Sequence, residues 1–202
     1  MTIPMFTRIL NHLLPKQCLS CHSFIPTNWI CSHCLQSLEP KQALFSTPET
    51  NIPVISFFKF ESVIKELLHY LKFEHMNELS SIISPLLPAL PSADIVIPTP
   101  IHRRRLKERG YNQVEVIFKP LFDQLTPCIH RHKHTPPLFK LSQKKRKSAL
   151  INAFSITDIH LEQKTVLLID DIFTSGTTFE AMIQCILPKR PKSITCLSIC
   201  HA

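Results

Sequence analysis

Apolar residues in this chain gather in two patterns: short unbroken aliphatic runs, and longer stretches in which they recur every three or four positions. Residues 166–169 (VLLI) and 94–98 (DIVIP) are of the first kind. With β-branched Val166 and Ile169 at its ends, the run 166–169 reads as a strand buried on both faces, as in a parallel sheet, and ending at Asp170 and Asp171. Phe179, Ala181, Met182, Ile183, Ile186 and Leu187 then recur at helical spacing. Earlier, residues 52–60 read as extended and 61–70 as a helix with Val63, Ile64, Leu67, Leu68 and Leu71 along one face. Residues 77–90 make a second amphipathic helix whose end Pro85 and Pro88 obscure. A third, residues 114–125, starts near Asn112 and buries Val114, Ile117, Phe118, Leu121 and Phe122. Residues 127–129 and 193–199 complete the strands. The pattern predicts an α/β domain over residues 52–202, a mainly parallel sheet flanked by helices.

Residues 1–44 form a unit of a different kind, and residues 42–51, polar and containing Pro48, read as a linker. Cys18, Cys21, Cys31 and Cys34 follow the pattern C-x2-C-x9-C-x2-C. Four thiolates at this spacing suit a closed, structural zinc site that fixes a fold too small to bury its own core. Disulfides and coincidental core cysteines are the alternatives, and His22 or His33 could stand in for one thiol. Cys128, Cys185, Cys196 and Cys200, unpaired by spacing, read as small buried hydrophobes.

Chemistry concentrates where the strand 166–169 meets the helix after it. Thr174, Ser175, Gly176, Thr177 and Thr178 make a turn of hydroxyls about one glycine, between a strand's carboxyl end and a helix's amino end. Backbone amides in such a turn favour an anion, and the hydroxyls add donors. Two carboxylates directly before it would repel a bare phosphate, so the same ligand must offer them vicinal hydroxyls or a divalent cation. A sugar phosphate satisfies both halves. With only two glycines in the chain, Gly110 and Gly176, neither a GxxxxGK[ST] nor a GxGxxG loop can be present. A cap for the following helix, from Asp171 or Ser175, is the plainer reading of the same residues.

The net charge of +8 lies in two patches. One is Arg103, Arg104, Arg105, Lys107 and Arg109 against Glu108; the other is Lys144, Lys145, Arg146 and Lys147; elsewhere the charges balance. Both are solvated loops or polyanion sites, for a pyrophosphate or a nucleic-acid backbone. His130, His132 and His134 read as an exposed loop. No span reaches the roughly 20 apolar residues a bilayer needs, and residues 1–15 lack the cleavage site of a signal peptide, so the expectation is a cytoplasmic, reducing location.

Residues 166–178 resemble the phosphoribosyl-pyrophosphate signature of type I phosphoribosyltransferases, with Phe173 bulkier than the aliphatic residue usual there. That resemblance implies a phosphoribosyltransferase-like fold. Asp170 and Asp171 would hold the ribose hydroxyls, partly through magnesium, and Thr174 to Thr178 the 5′-phosphate. Thr99, Pro100, Ile101, His102, Arg103, Arg105 and Arg109 would take the pyrophosphate, with Lys72 and Arg146 as further candidates. Taken together, the four-cysteine unit, DIVIPTPIHRRRLKERGYNQ, QKKRKSALINAF and VLLIDDIFTSGTT resemble the ComF family of competence proteins. The family resemblance implies a cytoplasmic protein needed for natural transformation, acting as single-stranded DNA crosses the inner membrane, beside the translocation machinery and peripheral to that membrane. Two other readings stand. In one, the fold binds single-stranded DNA without catalysis, through Arg104, Lys107, Lys144, Lys145, Arg146 and Lys147, with Tyr111 or Phe154 stacking on bases. In the other, it is a phosphoribosyltransferase of nucleotide metabolism.

Overall fold

A computed structural model describes residues 16–25, 29–134 and 148–202. The basic patch Lys144, Lys145, Arg146 and Lys147 lies outside the described residues, as do residues 1–15. Near the amino terminus, β1 (Lys16–Gln17) pairs antiparallel with β2 (Phe24–Ile25), and α1 (Ser32–Gln36) follows. The aliphatic runs then build a five-stranded sheet from β3 (Ala43–Ser46), β4 (Pro53–Lys59), β5 (Ile95–Pro98), β8 (Thr165–Phe173) and β9 (Ser193–His201), in the order β3-β4-β9-β8-β5. β4, β9, β8 and β5 are mutually parallel, and β3 runs antiparallel on the edge. A separate hairpin joins β6 (Ile129–Arg131) to β7 (Phe154–Ile156).

Helices cover both faces, as the unbroken apolar strands require. On one face α2 (Ser62–Phe73), the short α3 (Ser80–Ile83) and α5 (Gln113–Phe118) pack on Phe57, Leu167, Ile169 and Ile199. All five residues predicted for the helix 61–70 are buried on α2. Cys18, Ile25, Ile30 and Cys34 join this same core, and the Lys41 N–H donates to the Phe57 carbonyl at 2.7 Å, so the cysteine unit is packed on the sheet rather than hung from it. On the other face α6 (Thr177–Ile186) and the β6-β7 hairpin bury Val54, Val166, Leu168 and Cys196.

Several boundaries differ from expectation, each for a local reason. Residues 43–46, inside the stretch read as a linker, pair with β4 through Ser46 opposite Pro53, because alternate residues there can face the sheet. The helix expected over 77–90 is reduced to α3 between two 3₁₀ turns, with Pro85 in the second. α5 stops at Phe118 ahead of a 3₁₀ turn containing Pro120. The segment after β5 is not an extended loop: Arg103–Arg109 is a helix, α4, capped by the His102 ring and ended by Gly110 in the left-handed region at φ 87°. β8 does not end at the aspartates but runs through them to Phe173.

Leu67, fully buried on α2, should cost about 2–5 kcal/mol when changed to Ala, whereas exposed Lys65→Ala on the same helix should stay within about 0.5 kcal/mol. Urea unfolding followed by circular dichroism measures both.

Candidate functional site

The site begins where one strand outruns its neighbour. β5 ends at Pro98 opposite Ile169, and the Thr99 N–H closes that ladder by donating to the Ile169 carbonyl at 2.8 Å. Beyond this point β8 has no partner on that flank, although β9 stays paired on the other, Asp170 opposite Ser198. Strand alternation sends the two acids to opposite faces. Asp171 follows Leu167 and Ile169 toward α2 and α5, and Asp170 follows Val166 and Leu168 toward α6 and the β6-β7 hairpin. Both are buried, at 8% and 6% exposure for Asp170 and Asp171.

Buried carboxylates need partners, and each face supplies its own. Asp171 Oδ2 accepts from Lys72 Nζ at 2.8 Å and from Gln113 Nε2 at 2.7 Å. Arg109 in turn holds that pair: its Nε donates to the Lys72 carbonyl at 2.8 Å, and its Nη1 donates to Gln113 Oε1. Tyr111 donates its hydroxyl to the Leu71 carbonyl at 2.6 Å. Asn112 caps α5 through the Val114 N–H and donates to the Thr99 carbonyl at 3.0 Å. The RGYNQ stretch is therefore a clasp that ties the end of α2 to β8. On the opposite face Asp170 Oδ1 accepts the Asp171 N–H at 2.8 Å, and the Arg131 guanidinium, stacked 5.7 Å over the Phe154 ring, attracts its charge. Burial, then repulsion from Asp171, pushes the Asp170 carboxyl up to about 7, with Lys72 and Arg131 pulling the other way. Burial likewise lowers Arg131 to about 10, as does repulsion from Arg105, while Asp170 opposes the shift.

The turn after β8 is shaped for close approach. Gly176 has φ 72°, and a Cβ there would come within 2.8 Å of Pro48 Cδ and 3.2 Å of the Phe173 ring, so glycine is required twice over. Gly176 is also the residue at which α6 begins, without a side-chain cap, so neither Asp171 nor Ser175 serves as one. Ser175 and Thr177 instead share a hydrogen bond at 2.6 Å between hydroxyls. Free amides at the start of a ten-residue helix remain pointed at this turn.

The other residues predicted for the site are dispersed. Thr99 is buried and turns its hydroxyl onto Met182 Sδ at 3.3 Å, while Pro100 and Ile101 are half-buried. His102 caps α4 by accepting the Arg104 N–H through Nδ1 at 3.1 Å. Arg103, Arg104 and Lys107 are exposed, with Arg104 paired to Glu108, whereas Arg105 and Arg109 are half-buried. Tyr111, expected to be open to a base, spends its hydroxyl on α2, and Phe154 is buried beneath Arg131. Two participants were not singled out from the sequence. Gln113 was visible only as the last letter of RGYNQ. Arg131 lies in a histidine-rich run; its signal is its place directly after Ile129-His130, opposite Phe154 in the hairpin register.

In the amino-terminal unit the ligand atoms of Cys18, Cys21, Cys31 and Cys34 all lie within 4.8 Å of one another. The Cys21–Cys31 sulfur separation of 3.6 Å is far beyond a disulfide and close to the edge, about 3.8 Å, of a tetrahedron with zinc–sulfur bonds of about 2.3 Å. The Cys31 and Cys34 N–H groups donate to Cys18 and Cys31 sulfurs at 3.4 Å, and the Ser23 hydroxyl helps lower the Cys21 thiol to about 6. The donor set suits a closed, structural metal site. The aspartate pair suits a divalent cation poorly, because Asp171 Oδ2 already accepts from an ammonium and an amide.

These features define a mixed α/β protein with a mostly parallel sheet and a separate four-cysteine cluster whose donor set suits a structural metal. No protein-family profile matches the chain. It is 27% identical over 195 residues to the DNA utilization protein YhgH of Shigella flexneri, covering 89% of this chain and 79% of the relative. It is 27% identical over 148 residues to competence protein ComFC of Bacillus subtilis, covering 66% and 58%. To competence protein F of Haemophilus influenzae it is 35% identical over 96 residues, covering 44% and 41%. Over most of its length the chain is thus similar to a DNA utilization protein, and over shorter stretches to two competence proteins.

The raised Asp170 carboxyl sets a pH signature. Its protonated form favours the folded chain, a contribution present below the ordinary carboxylate value and lost as pH rises through about 7. Asp170→Asn lacks this loss, so thermal melts at pH 5 to 8 should show the variant gaining on the parent as pH rises. A gap that is constant or shrinks contradicts the assignment.

Proposed function

We propose that this protein serves DNA uptake in natural transformation and that residues 52–202 are a type I phosphoribosyltransferase-like domain that binds phosphoribosyl pyrophosphate. The observation that carries the reading is the juxtaposition of two buried carboxylates with a left-handed glycine turn that opens a ten-residue helix. In this reading the amides and hydroxyls of Thr174, Ser175, Gly176, Thr177 and Thr178 take the 5′-phosphate, and Asp170 and Asp171 take the ribose hydroxyls. The pyrophosphate lies toward residues 99–102 with Arg103 and Arg105. Were catalysis to follow, a nucleophile would attack the anomeric carbon as pyrophosphate departs, and the aspartates would balance the positive charge developing on the sugar. Arg109 acts behind the site, through Lys72 and Gln113, rather than on the leaving group. The magnesium implied by the family resemblance is given no role at the aspartates.

Residues 1–44 hold zinc through Cys18, Cys21, Cys31 and Cys34, a scaffold with no open coordination position. The relatives' names, a DNA utilization protein and two competence proteins, support a role in handling incoming DNA. In this reading the protein acts in the cytoplasm against the inner membrane; no helix among the described residues is long and apolar enough to cross it. A second reading, single-stranded DNA binding without catalysis, is favoured by one observation: Arg103, Arg104 and Lys107 are exposed on α4. Backbone binding of that kind weakens steeply with salt, whereas an amide cradle responds less.

Calorimetric titration with phosphoribosyl pyrophosphate should show binding by the parent and at least about a tenfold loss in Asp170→Asn/Asp171→Asn. Equal affinity in both proteins would remove the aspartates from the site. For the cysteine unit, one zinc per chain under reducing conditions is expected, and Cys18→Ser should release it and lower the melting temperature. Metal analysis that finds no zinc would sink that assignment.

A further inference from the structure

A cavity of about 740 Å³ lies on the α6 side of the molecule, between the β3-β4 connection, the residues leading into β7, and one side of α6. That volume is in the range of small-molecule sites. Thr177 is its one residue in common with the hydroxyl turn, and neither Asp170 nor Asp171 lines it. Its apolar wall is made by Leu150, Ala153 and Phe154, all buried in the fold, with Ala181 of α6 beside them.

The polar side of the cavity is an acid without a counterpart. Glu180 is 6% exposed, yet its Oε1 has no hydrogen-bond partner, and its Oε2 accepts only a long bond, 3.4 Å, from the Glu49 N–H. The other buried acids are provided for: Lys72 and Gln113 serve Asp171, and a backbone amide serves Asp170. Buried carboxylates are ordinarily paired, so the missing partner of Glu180 is the feature to be explained. The surroundings do not supply it. Among the described residues no lysine, arginine or histidine lines the cavity, while a second acid, Glu49, does. Burial, and after it the charges of Glu180 and Asp170, push the Cys196 thiol up, so the field behind the cavity wall is negative as well.

We infer that this cavity binds an organic amine, its ammonium paired with Glu180 and its apolar body laid along Leu150, Ala153 and Phe154. The terminal torsion of a glutamate is soft, so the carboxylate can turn an oxygen toward a donor arriving through the cavity. An ammonium brings both the hydrogen-bond donors and the positive charge that the cavity lacks. An anionic ligand would meet two carboxylates, and a bare metal ion would leave the apolar wall uncovered. The site is separate from the sugar-phosphate site proposed above and does not depend on that reading.

The probes are 2-phenylethylamine and its neutral counterpart 2-phenylethanol, titrated into the full chain and followed by amide nuclear magnetic resonance. The amine should bind at least about tenfold more tightly than the alcohol, with shifts centred on Ala153 and Ala181. Glu180→Gln should abolish that preference by weakening the amine alone. Gln184→Lys, a change at an exposed position on the cavity's rim, should weaken the amine and leave the alcohol within about twofold. Equal affinity for amine and alcohol in the parent overturns the inference, as does a Glu180→Gln protein that keeps the preference. Shifts centred elsewhere, or no binding of the amine at about 10 mM, overturn it too. If Glu180→Gln does not fold, the comparison of the two probes on the parent and on Gln184→Lys decides.

Discussion

Two carboxylates buried side by side on one strand are the constraint that organises this molecule. Isolated, each would be costly to ionise away from water, and removing one partner from a buried pair costs about 3–5 kcal/mol. The fold meets the demand from both faces of the sheet. On one, the end of α2, the end of α4 and the start of α5 converge so that Lys72 and Gln113 reach Asp171, with Arg109 holding both from behind. On the other, the β6-β7 pair brings the Arg131 charge within electrostatic reach of Asp170. Elements far apart in sequence are thereby fixed with respect to β8, and the geometry of the site follows from the same contacts that stabilise it.

The turn beyond the acids is set with equal stringency. Pro48, from the β3-β4 hairpin, presses on Gly176 so closely that no side chain fits, and the Glu49 N–H reaches Glu180 in the first turn of α6 at 3.4 Å. The connection between β3 and β4, at one edge of the sheet, therefore also braces the turn. Because Cys18, Ile25, Ile30 and Cys34 share a core with α2, a metal in the cysteine unit would stiffen the same layer that carries Lys72.

Much of the framework was legible from hydrophobic spacing. The buried face of α2 and the strand-turn-helix from 165 to 186 follow from aliphatic runs whose burial leaves few alternatives. What the spacing could not convey was direction. Arg109 and Tyr111 look like surface residues of a basic, aromatic loop, yet Gly110 turns the chain so that both side chains point at backbone carbonyls of α2. The extent of β8 was missed because acids at a strand's end usually mark a loop, and only the partner strand β9, running alongside to His201, keeps them in the sheet. Arg131 was hidden among histidines, since its role depends on a hairpin partner more than twenty residues away, Phe154, opposite it in the β6-β7 register.

The central claim is that the acids and the glycine turn together hold one sugar phosphate. A crystal structure of the protein with ribose 5-phosphate tests it most directly. The phosphate should lie against the backbone amides of residues 175–178 and the sugar hydroxyls within hydrogen-bond reach of Asp170 and Asp171, with Lys72 still paired to Asp171. A phosphate bound instead on the exposed arginines of α4, with the turn empty, would contradict it.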